Sequence, residues 1–152
     1  MPKVAILLGS ESDREVMQNC ANYLEWFKIE YEMKVLSAHR NPRETTAFAK
    51  SAEKRGIGII IAAAGMAAHL PGVIAAHTTL PVIGVPLSSS DLRGIDALYS
   101  IVQMPAGIPV ATVAIGGAGA KNAAVLAAEI LATSDTRMKK KLQEFRKRGS
   151  KI

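Results

Sequence analysis

Stretches of continuous apolar residues alternate with amphipathic stretches along most of the chain. The apolar run KVAILL at residues 3–8 ends at Gly9, which is typical of a buried parallel strand followed by a tight turn. Between Val16 and Phe27, apolar residues then recur at spacings of four, four and three, and this period predicts a helix. The N-terminal segment therefore predicts a strand followed by a helix.

The same alternation continues through most of the remaining chain. It predicts further strands at residues 31–36, 57–63, 80–86 and 108–115, and helices at residues 42–54, 70–77, 94–103 and 119–132. Regular alternation of helices with all-apolar strands predicts a parallel sheet that is covered by helices on both faces. In such a sheet, ligands bind beyond the carboxyl ends of the strands.

The chain length of 152 residues fits a single domain. We assign residues 1–133 to one α/β domain and residues 134–152 to a basic helical tail of the same domain. Hydrophobic residues make up 49% of the chain and aromatic residues only 5%, so small aliphatic side chains must build the core. Small residues surround the helix at 119–132 on nearly all sides, which indicates deep burial or packing against another subunit.

The net charge of +6 comes from the tail. Residues 134–152 carry eight Lys or Arg side chains against two acidic ones, whereas residues 1–133 carry eleven of each sign. A basic tail is able to touch nucleic acid, but no aromatic platform or recognition motif accompanies it. A solvated terminal helix is the preferred interpretation, and we expect no nucleic-acid partner.

Two features bear on where the protein works. Residues 56–90 contain no charged side chain, but Pro71, Pro81 and Pro86 divide them into pieces too short to span a membrane. The only cysteine, Cys20, lies on the apolar face of the first predicted helix, which favours a buried, unreactive thiol. We expect a cytoplasmic protein without a signal peptide and without a membrane partner.

Three loops follow the first three predicted strands: GSESD at 9–13, SAHRNP at 37–42 and AGMAAHLPG at 64–72. Because the carboxyl ends of parallel strands meet at one edge of a sheet, we expect these loops to gather there. The side chains in them are the candidates for binding and chemistry.

The first loop combines a glycine turn with two hydroxyl groups at a helix N-terminus. Free backbone N–H groups and the helix dipole favour an anion there, so Ser10 and Ser12 are candidates for phosphate binding. For Ser12, capping of the helix in a box with Glu15 is an equally good interpretation. Asp13 suits ribose hydroxyls, or is simply a favourable charge in the first helical turn.

The other two loops carry a cation and two histidines. Arg40 offers a planar guanidinium for a phosphate, although an ordinary surface role stays open. His39 follows a strand and precedes a helix, which favours a proton shuttle over a histidine packed in the core. The glycine and alanines at 63–68 leave room for a flat ring close to the backbone. His69 contributes its ring or its backbone to the same site, or it only forms a structural turn with Leu70 and Pro71.

No metal-ligand spacing, nucleophile elbow, Walker loop or dinucleotide fingerprint occurs in the sequence. The residues that remain suit proton transfer on a small phosphorylated ligand. We therefore expect chemistry that uses no metal and no cofactor.

Six segments, in order, resemble the 5-(carboxyamino)imidazole ribonucleotide mutase family of purine biosynthesis: GSESD, SAHR, AGMAAHLPG, LPVIGVP, GIDALYSIVQMPAGIPVATVAI and GAKNAAVLAAEILA. The resemblance extends from Lys3 to Thr133. It implies a three-layer, flavodoxin-like αβα fold, a homo-octamer with sites at subunit junctions, an imidazole ribonucleotide substrate and no cofactor. It also implies functional coupling to the ATP-dependent synthetase that makes the substrate.

The resemblance further implies the reaction and the role of each site residue. The family moves a carboxylate from the exocyclic amine of an aminoimidazole ribonucleotide to ring carbon 4. His39 would be the catalytic acid and base, Ser10 and Arg40 would hold the 5′-phosphate region, and Asp13 would hold the ribose. The other substrate-binding positions implied are Ser12, Ser37, Gly65, Ala67, His69 and Leu70.

Two positions depart from the family pattern, and two other functions stay open. Ala63 and Met66 stand where glycine is usual, so the Met66 side chain is expected to crowd the ligand or shift the loop. One alternative function is a related carboxylase that uses carbon dioxide directly. That branch tends to carry lysine after the histidine, so Arg40 favours the mutase. The other alternative is a noncatalytic nucleotide-binding module, in which His39 would be dispensable.

Overall fold

A computed structural model describes all 152 residues, which form a five-stranded parallel sheet between two layers of helices. The strands are β1 (Lys3–Leu8), β2 (Tyr31–Val35), β3 (Ile57–Ala64), β4 (Val82–Pro86) and β5 (Ala111–Thr112). They lie in the order β2-β1-β3-β4-β5, which is the order of flavodoxin-like folds. The predicted parallel sheet and three-layer fold are thereby confirmed.

Six helices cover the sheet. They are α1 (Arg14–Phe27), α2 (Pro42–Ser51), α3 (Leu70–Ala75), α4 (Ile95–Val102), α5 (Gly117–Ala132) and α6 (Thr136–Lys147). Helices α1, α5 and α6 contribute to one apolar cluster, and α2, α3 and α4 contribute to a second cluster on the opposite face.

Both faces of the central strands are buried, which explains their unbroken apolar sequences. In β1, Val4, Ile6 and Leu8 belong to the cluster beneath α1, whereas Ala5 and Leu7 belong to the cluster beneath α2 and α3. All five side chains are fully buried. A strand without a solvent face has no polar positions to alternate with, so it reads as a continuous apolar run.

The alanine-rich α5 packs closely against α1, because its buried face consists mainly of small residues. That face comprises Gly119, Ala120, Ala123, Ala124, Ala127, Ala128 and Leu131. The sequence predicted deep burial or packing against another subunit, and this one face is buried within the chain. Cys20 on α1 is also fully buried, and burial raises the pKa of its thiol well above the usual range. The burial of Cys20 agrees with the buried thiol that the sequence predicted.

The basic tail forms α6, which lies against α1 and α5. Met138 and Phe145 are its buried residues, and the Phe145 ring meets Trp26 and Tyr23 at centroid distances of 5.5 and 5.9 Å. Asp135 caps the helix by accepting hydrogen bonds from the backbone N–H groups of its first turn. The tail therefore contributes an aromatic contact to the core while its charges face outwards.

Two predicted elements lose three or more residues in the structure. The strand expected at 108–115 is reduced to Ala111–Thr112. Pro109 has no N–H for a ladder, and Val113 and Gly116 bond irregularly to the carbonyls of Gly84 and Pro86. Helix α2 ends at Ser51 instead of residue 54, and a 3₁₀ turn at Glu53–Arg55 follows it. No helix is long and apolar enough to cross a membrane.

Candidate active site

A cavity of 630 Å³ opens beyond the carboxyl ends of β1, β2 and β3. Every site residue expected from the sequence lines it: Ser10, Ser12, Asp13, Ser37, His39, Arg40, Gly65, Ala67, His69 and Leu70. The strand order places the loops after β2, β1 and β3 side by side, and this is why distant segments converge.

The loop after β1 forms a compact polar turn. Gly9 donates its N–H to the carbonyl of Ala63 at 3.0 Å, which ties the loop to β3. The hydroxyl oxygens of Ser10 and Ser12 lie 3.0 Å apart and share a hydrogen bond. The N–H of Ser10 donates to Asp13 Oδ2 at 3.0 Å. Two hydroxyl groups and one carboxylate are thus held together in front of α1.

The capping box predicted between Ser12 and Glu15 is wrong. A 3₁₀ turn at Glu11–Asp13 precedes α1, so Asp13 is the N-cap residue and Ser12 lies inside the turn. The reciprocal contact joins Ser10 and Asp13 instead. Because Ser12 does not cap the helix, its hydroxyl stays available in the cavity beside that of Ser10.

Asp13 is the most enclosed charged group of the site, with 6% of its surface exposed. Burial raises the pKa of its carboxyl, and the hydrogen bond from the Ser10 N–H partly opposes that rise. A carboxylate in such a setting gains from an additional donor. Ligand hydroxyl groups would provide one.

The loop after β2 is a tight turn closed by Ser37 and Asn41. The N–H of Asn41 donates to the Ser37 carbonyl at 2.8 Å, and the N–H of Arg40 donates to Ser37 Oγ at 3.1 Å. Strand β2 ends at Val35, so His39 stands on this turn and not at the strand end. The role of Ser37 in the turn is to fix the backbone of His39 and Arg40.

The two site histidines contact each other across the cavity. His39 Nε2 lies 3.0 Å from His69 Nδ1, and the rings meet edge to face at 80°. One nitrogen must carry a proton and donate, while the other accepts. The pair therefore forms a proton-carrying group that joins the loops after β2 and β3. The third histidine, His77, is exposed and lies outside the cavity.

The loop after β3 brings its backbone to the cavity. His69 donates its N–H to the Ala67 carbonyl at 2.8 Å, which folds the loop back before Leu70 begins α3. Met66 lies in the left-handed region at φ 53°, and its residue surface is 61% exposed. The loop thus has the backbone conformation that a glycine at 66 would adopt freely.

Ala63 does not take part in the site. It is fully buried among the side chains of the cluster beneath α1 and α5, within β3. The departure from glycine at this position therefore adds packing to the core and leaves the cavity unchanged.

Sequence reasoning missed one wall of the cavity, which the loop after β4 provides. Ser89 lines the cavity next to Gly65. Its signal was present in the sequence, because β4 also ends at the edge where the other loops meet. No group of three or more His, Cys, Asp or Glu side chains converges to form a metal site.

The family model described as AIR carboxylase matches residues 3–151. The chain belongs to the AIR carboxylase family. The family that the sequence motifs resembled is thereby confirmed, and the match extends past Thr133 into the basic tail.

Members of the AIR carboxylase family with curated names are similar along nearly the whole chain. The N5-carboxyaminoimidazole ribonucleotide mutase of Pyrococcus abyssi is 59% identical over 146 residues, which cover 96% of this chain and 83% of that protein. The Escherichia coli K12 protein of the same name is 55% identical over 145 residues, with coverage of 95% and 86%. The crystal structure of Treponema denticola PurE superimposes with a TM-score of 0.87 at 30% identity, covering 99% of this chain and 92% of that one.

Proposed function

We propose that the protein is a mutase of purine biosynthesis that converts 5-(carboxyamino)imidazole ribonucleotide into 4-carboxy-5-aminoimidazole ribonucleotide. The observation that carries the proposal is the His39–His69 pair, whose nitrogens lie 3.0 Å apart in a cavity that also holds an anion cradle. An intramolecular carboxylate transfer needs a group that both gives and takes a proton. An imidazole does this near neutral pH.

The nucleotide part of the substrate fits the loops after β1 and β2. The hydroxyl groups of Ser10 and Ser12 and the guanidinium of Arg40 suit the phosphate, because charge-assisted hydrogen bonds to phosphate oxygens are strong. The buried carboxylate of Asp13 suits the ribose hydroxyls as an acceptor. This arrangement directs the imidazole ring towards the histidine pair.

One histidine is enough to carry out both proton transfers of the reaction. The bond between the exocyclic nitrogen and the carboxylate carbon breaks, its electron pair stays on nitrogen, and His39 gives that nitrogen a proton. Carbon dioxide is released into the cavity. Ring carbon 4 then attacks carbon dioxide, and His39 takes the proton that carbon 4 carried. One proton is given and one is taken, so the enzyme returns to its starting state.

The glycine and alanine wall at Gly65–Ala68 supports retention of the intermediate. Apart from Met66, this wall consists of small residues, which would let the backbone approach the imidazole ring closely. A captured carbon dioxide molecule reacts at a high effective concentration, which lowers the entropic part of the barrier. His69 orients the His39 ring through their shared hydrogen bond.

A carboxylase that takes carbon dioxide from solution is the second candidate. The curated relatives cited above carry the mutase name, which favours the mutase. The experiment is a comparison of two substrates. The carboxyamino nucleotide without added bicarbonate should turn over rapidly, and aminoimidazole ribonucleotide with bicarbonate should turn over slowly. Equal rates would favour the carboxylase.

The assembly that we propose is a homo-octamer with functional coupling to the synthetase that makes the substrate. The number of subunits and the coupling follow from the family resemblance alone. An exposed apolar stripe on and before α4, comprising Leu92, Ile95, Tyr99 and Val102, supports self-association of the chain. Residues spaced three or four apart on a helix form one face, and such a face favours burial against another copy. Light scattering of the purified chain should give eight times the monomer mass, and a monomer with full activity would contradict the proposal.

A further inference from the structure

Ser89, in the loop at residues 87–94 after β4, lines a part of the cavity that no sequence motif assigned to the site. Leu87 donates its N–H to the Ala64 carbonyl at 3.0 Å, so the loop starts against the end of β3. A Cβ atom built on Gly65 would lie 1.6 Å from Ser89 Oγ. The Ser89 hydroxyl therefore occupies the space where residue 65 would carry a side chain. This is the physical reason for glycine at position 65.

Neighbouring serines in this loop differ in what they bind. Ser90 Oγ donates to Asp96 Oδ2 at 2.7 Å and accepts from the Leu92 N–H at 3.2 Å, so both functions of the hydroxyl are used inside the protein. Ser89 Oγ has no such partner and faces the cavity. Ser90 anchors the loop, and Ser89 is left free to meet a ligand.

The anchor depends on a carboxylate with no other side-chain partner. Asp96 lies in the first turn of α4, where the helix dipole favours a negative charge. Its second oxygen, Oδ1, is buried without a hydrogen-bond partner. Loss of the Ser90 hydroxyl would leave the Asp96 carboxylate without its one side-chain donor, which is unfavourable for a buried acceptor. The Asp96–Ser90 contact therefore holds the loop in place.

The position of Ser89 identifies the part of the substrate that it would meet. In the sheet order, β2 and β4 lie on opposite sides of the β1–β3 pair. Arg40 follows β2, and Ser89 follows β4. Ser89 lies against Gly65, near the start of the loop that carries His69, and His69 in turn contacts His39. The reacting end of a nucleotide at the histidine pair would therefore lie beside the loop that Ser89 contacts.

We propose that the Ser89 hydroxyl donates a hydrogen bond to the migrating carboxylate, and that Ser90 and Asp96 are positioning residues that hold Ser89 against Gly65. This inference rests on the proposed mutase function. It adds a substrate contact from a fourth loop. This loop places no charged side chain and no histidine at the cavity.

A neutral donor suits a group whose charge changes during the reaction. The carboxylate is anionic in substrate and product, but carbon dioxide between them is neutral. A fixed cation beside it would stabilise the two bound nucleotides more than the intermediate and raise the barrier. The Ser89 hydroxyl hydrogen-bonds to the anion and remains able to contact neutral carbon dioxide. It thus orients the group without trapping it.

The test compares affinities for two nucleotides that differ only in the carboxylate. Calorimetry would measure binding of 4-carboxy-5-aminoimidazole ribonucleotide and of aminoimidazole ribonucleotide. For Ser89→Ala we expect the carboxylated nucleotide to bind roughly tenfold more weakly, because a hydrogen bond to a charged group is lost. Affinity for the decarboxylated nucleotide should stay the same. Ser88→Ala, which changes an exposed serine of the same loop outside the cavity, should alter neither value.

Ser90 tests the positioning role separately. Ser90→Ala should reduce the preference for the carboxylated nucleotide as Ser89→Ala does, and Ser90→Thr, which keeps the hydroxyl, should restore it. Equal loss of both affinities in Ser89→Ala, or no loss of either, would overturn the proposal. If wild-type protein isomerises the carboxyamino nucleotide in the same preparation, that result leaves the proposed function standing. Absence of wild-type turnover would instead remove the proposed function itself.

Discussion

His39 Nε2 lies 3.0 Å from His69 Nδ1, so two loops thirty residues apart in the chain are joined by one imidazole hydrogen bond. The contact fixes the direction of the His39 ring, because a ring that donates or accepts at Nε2 cannot rotate freely. It also gives His69 a defined function as a positioning residue. Proton transfer by His39 depends on this geometry.

Replacing His39 with asparagine should remove turnover while the fold and nucleotide binding are kept. Asparagine hydrogen-bonds but does not shuttle a proton, and general acid–base groups contribute about 10²–10⁴-fold to rate. Steady-state kinetics and calorimetric binding of the product would separate the two effects. His77→Asn is the matched control, because His77 is exposed and lies outside the cavity. A His39→Asn enzyme with a near-normal rate would show that His39 is not the catalytic acid and base.

Arg40→Ala should weaken nucleotide binding by about 1.5–3 kcal/mol, the usual range for a hydrogen bond to a charged group. The loss should be similar for substrate and product, since both carry the phosphate. Arg43→Ala is the control, because Arg43 is exposed on α2 and does not line the cavity. Equal affinities of the Arg40 and Arg43 variants would mean that Arg40 is an ordinary surface arginine.

Asp13 should make stability depend on pH in a direction unusual for a carboxyl group. Burial raises the pKa of Asp13 in the folded state above that in the unfolded chain. The folded state therefore binds the proton more tightly, and the contribution to stability is full below the unfolded pKa of about 4. It is lost as the pH rises through the folded pKa.

The measurement is the free energy of unfolding of wild type minus that of Asp13→Asn, taken in urea from acidic to neutral pH. Asparagine keeps the shape but does not titrate. The difference should fall as the pH rises and then level off. A difference that grows with pH would mean that the Ser10 N–H stabilises the carboxylate more than burial opposes it.

The Met66→Gly variant of the protein should be more stable than the Met66→Ala variant. At φ 53° the Cβ atom crowds the backbone, which costs a residue other than glycine roughly 1–2 kcal/mol. The greater freedom of glycine in the unfolded chain offsets about 0.5–1 kcal/mol of this gain. We therefore expect the free energy of unfolding, measured in urea, to be higher for Met66→Gly than for Met66→Ala by about 1 kcal/mol or less. The reverse order would show that the loop relaxes around a side chain.

The sequence predicts the central sheet well and its edge poorly. Strands β1 and β3 are buried on both faces, so their apolar runs coincide with their bounds within a residue. Strand β5 has one neighbour and lies near Pro109, which has no N–H for the ladder, so only Ala111–Thr112 of the predicted strand at 108–115 pairs regularly. An apolar run indicates burial, but it does not reveal how much of the ladder forms.

The site, too, was predicted in part: the sequence located its loops but not the contacts between them. The strand-end rule brought the first three loops together, and every residue expected there lines one cavity. Pattern alone could not reveal the His39–His69 contact, which depends on two turns of specific shape. It also placed the cap at Ser12, because a 3₁₀ turn before a helix has the same residue types as a capping box. Ser89 was missed because the strand-end rule was applied only to the first three strands, although β4 ends at the same edge.

The central claim is that the carboxylate leaves nitrogen and rejoins carbon 4 without escaping from the cavity. The direct measurement uses substrate with an isotopic label on the carbamate carbon, in the presence of excess unlabelled bicarbonate. The product should keep most of the label, since the released carbon dioxide would recombine with carbon 4 between the small-residue wall and Ser89 before it reaches solvent. A product whose label is diluted to the value of the bicarbonate pool would contradict the mutase and support the carboxylase.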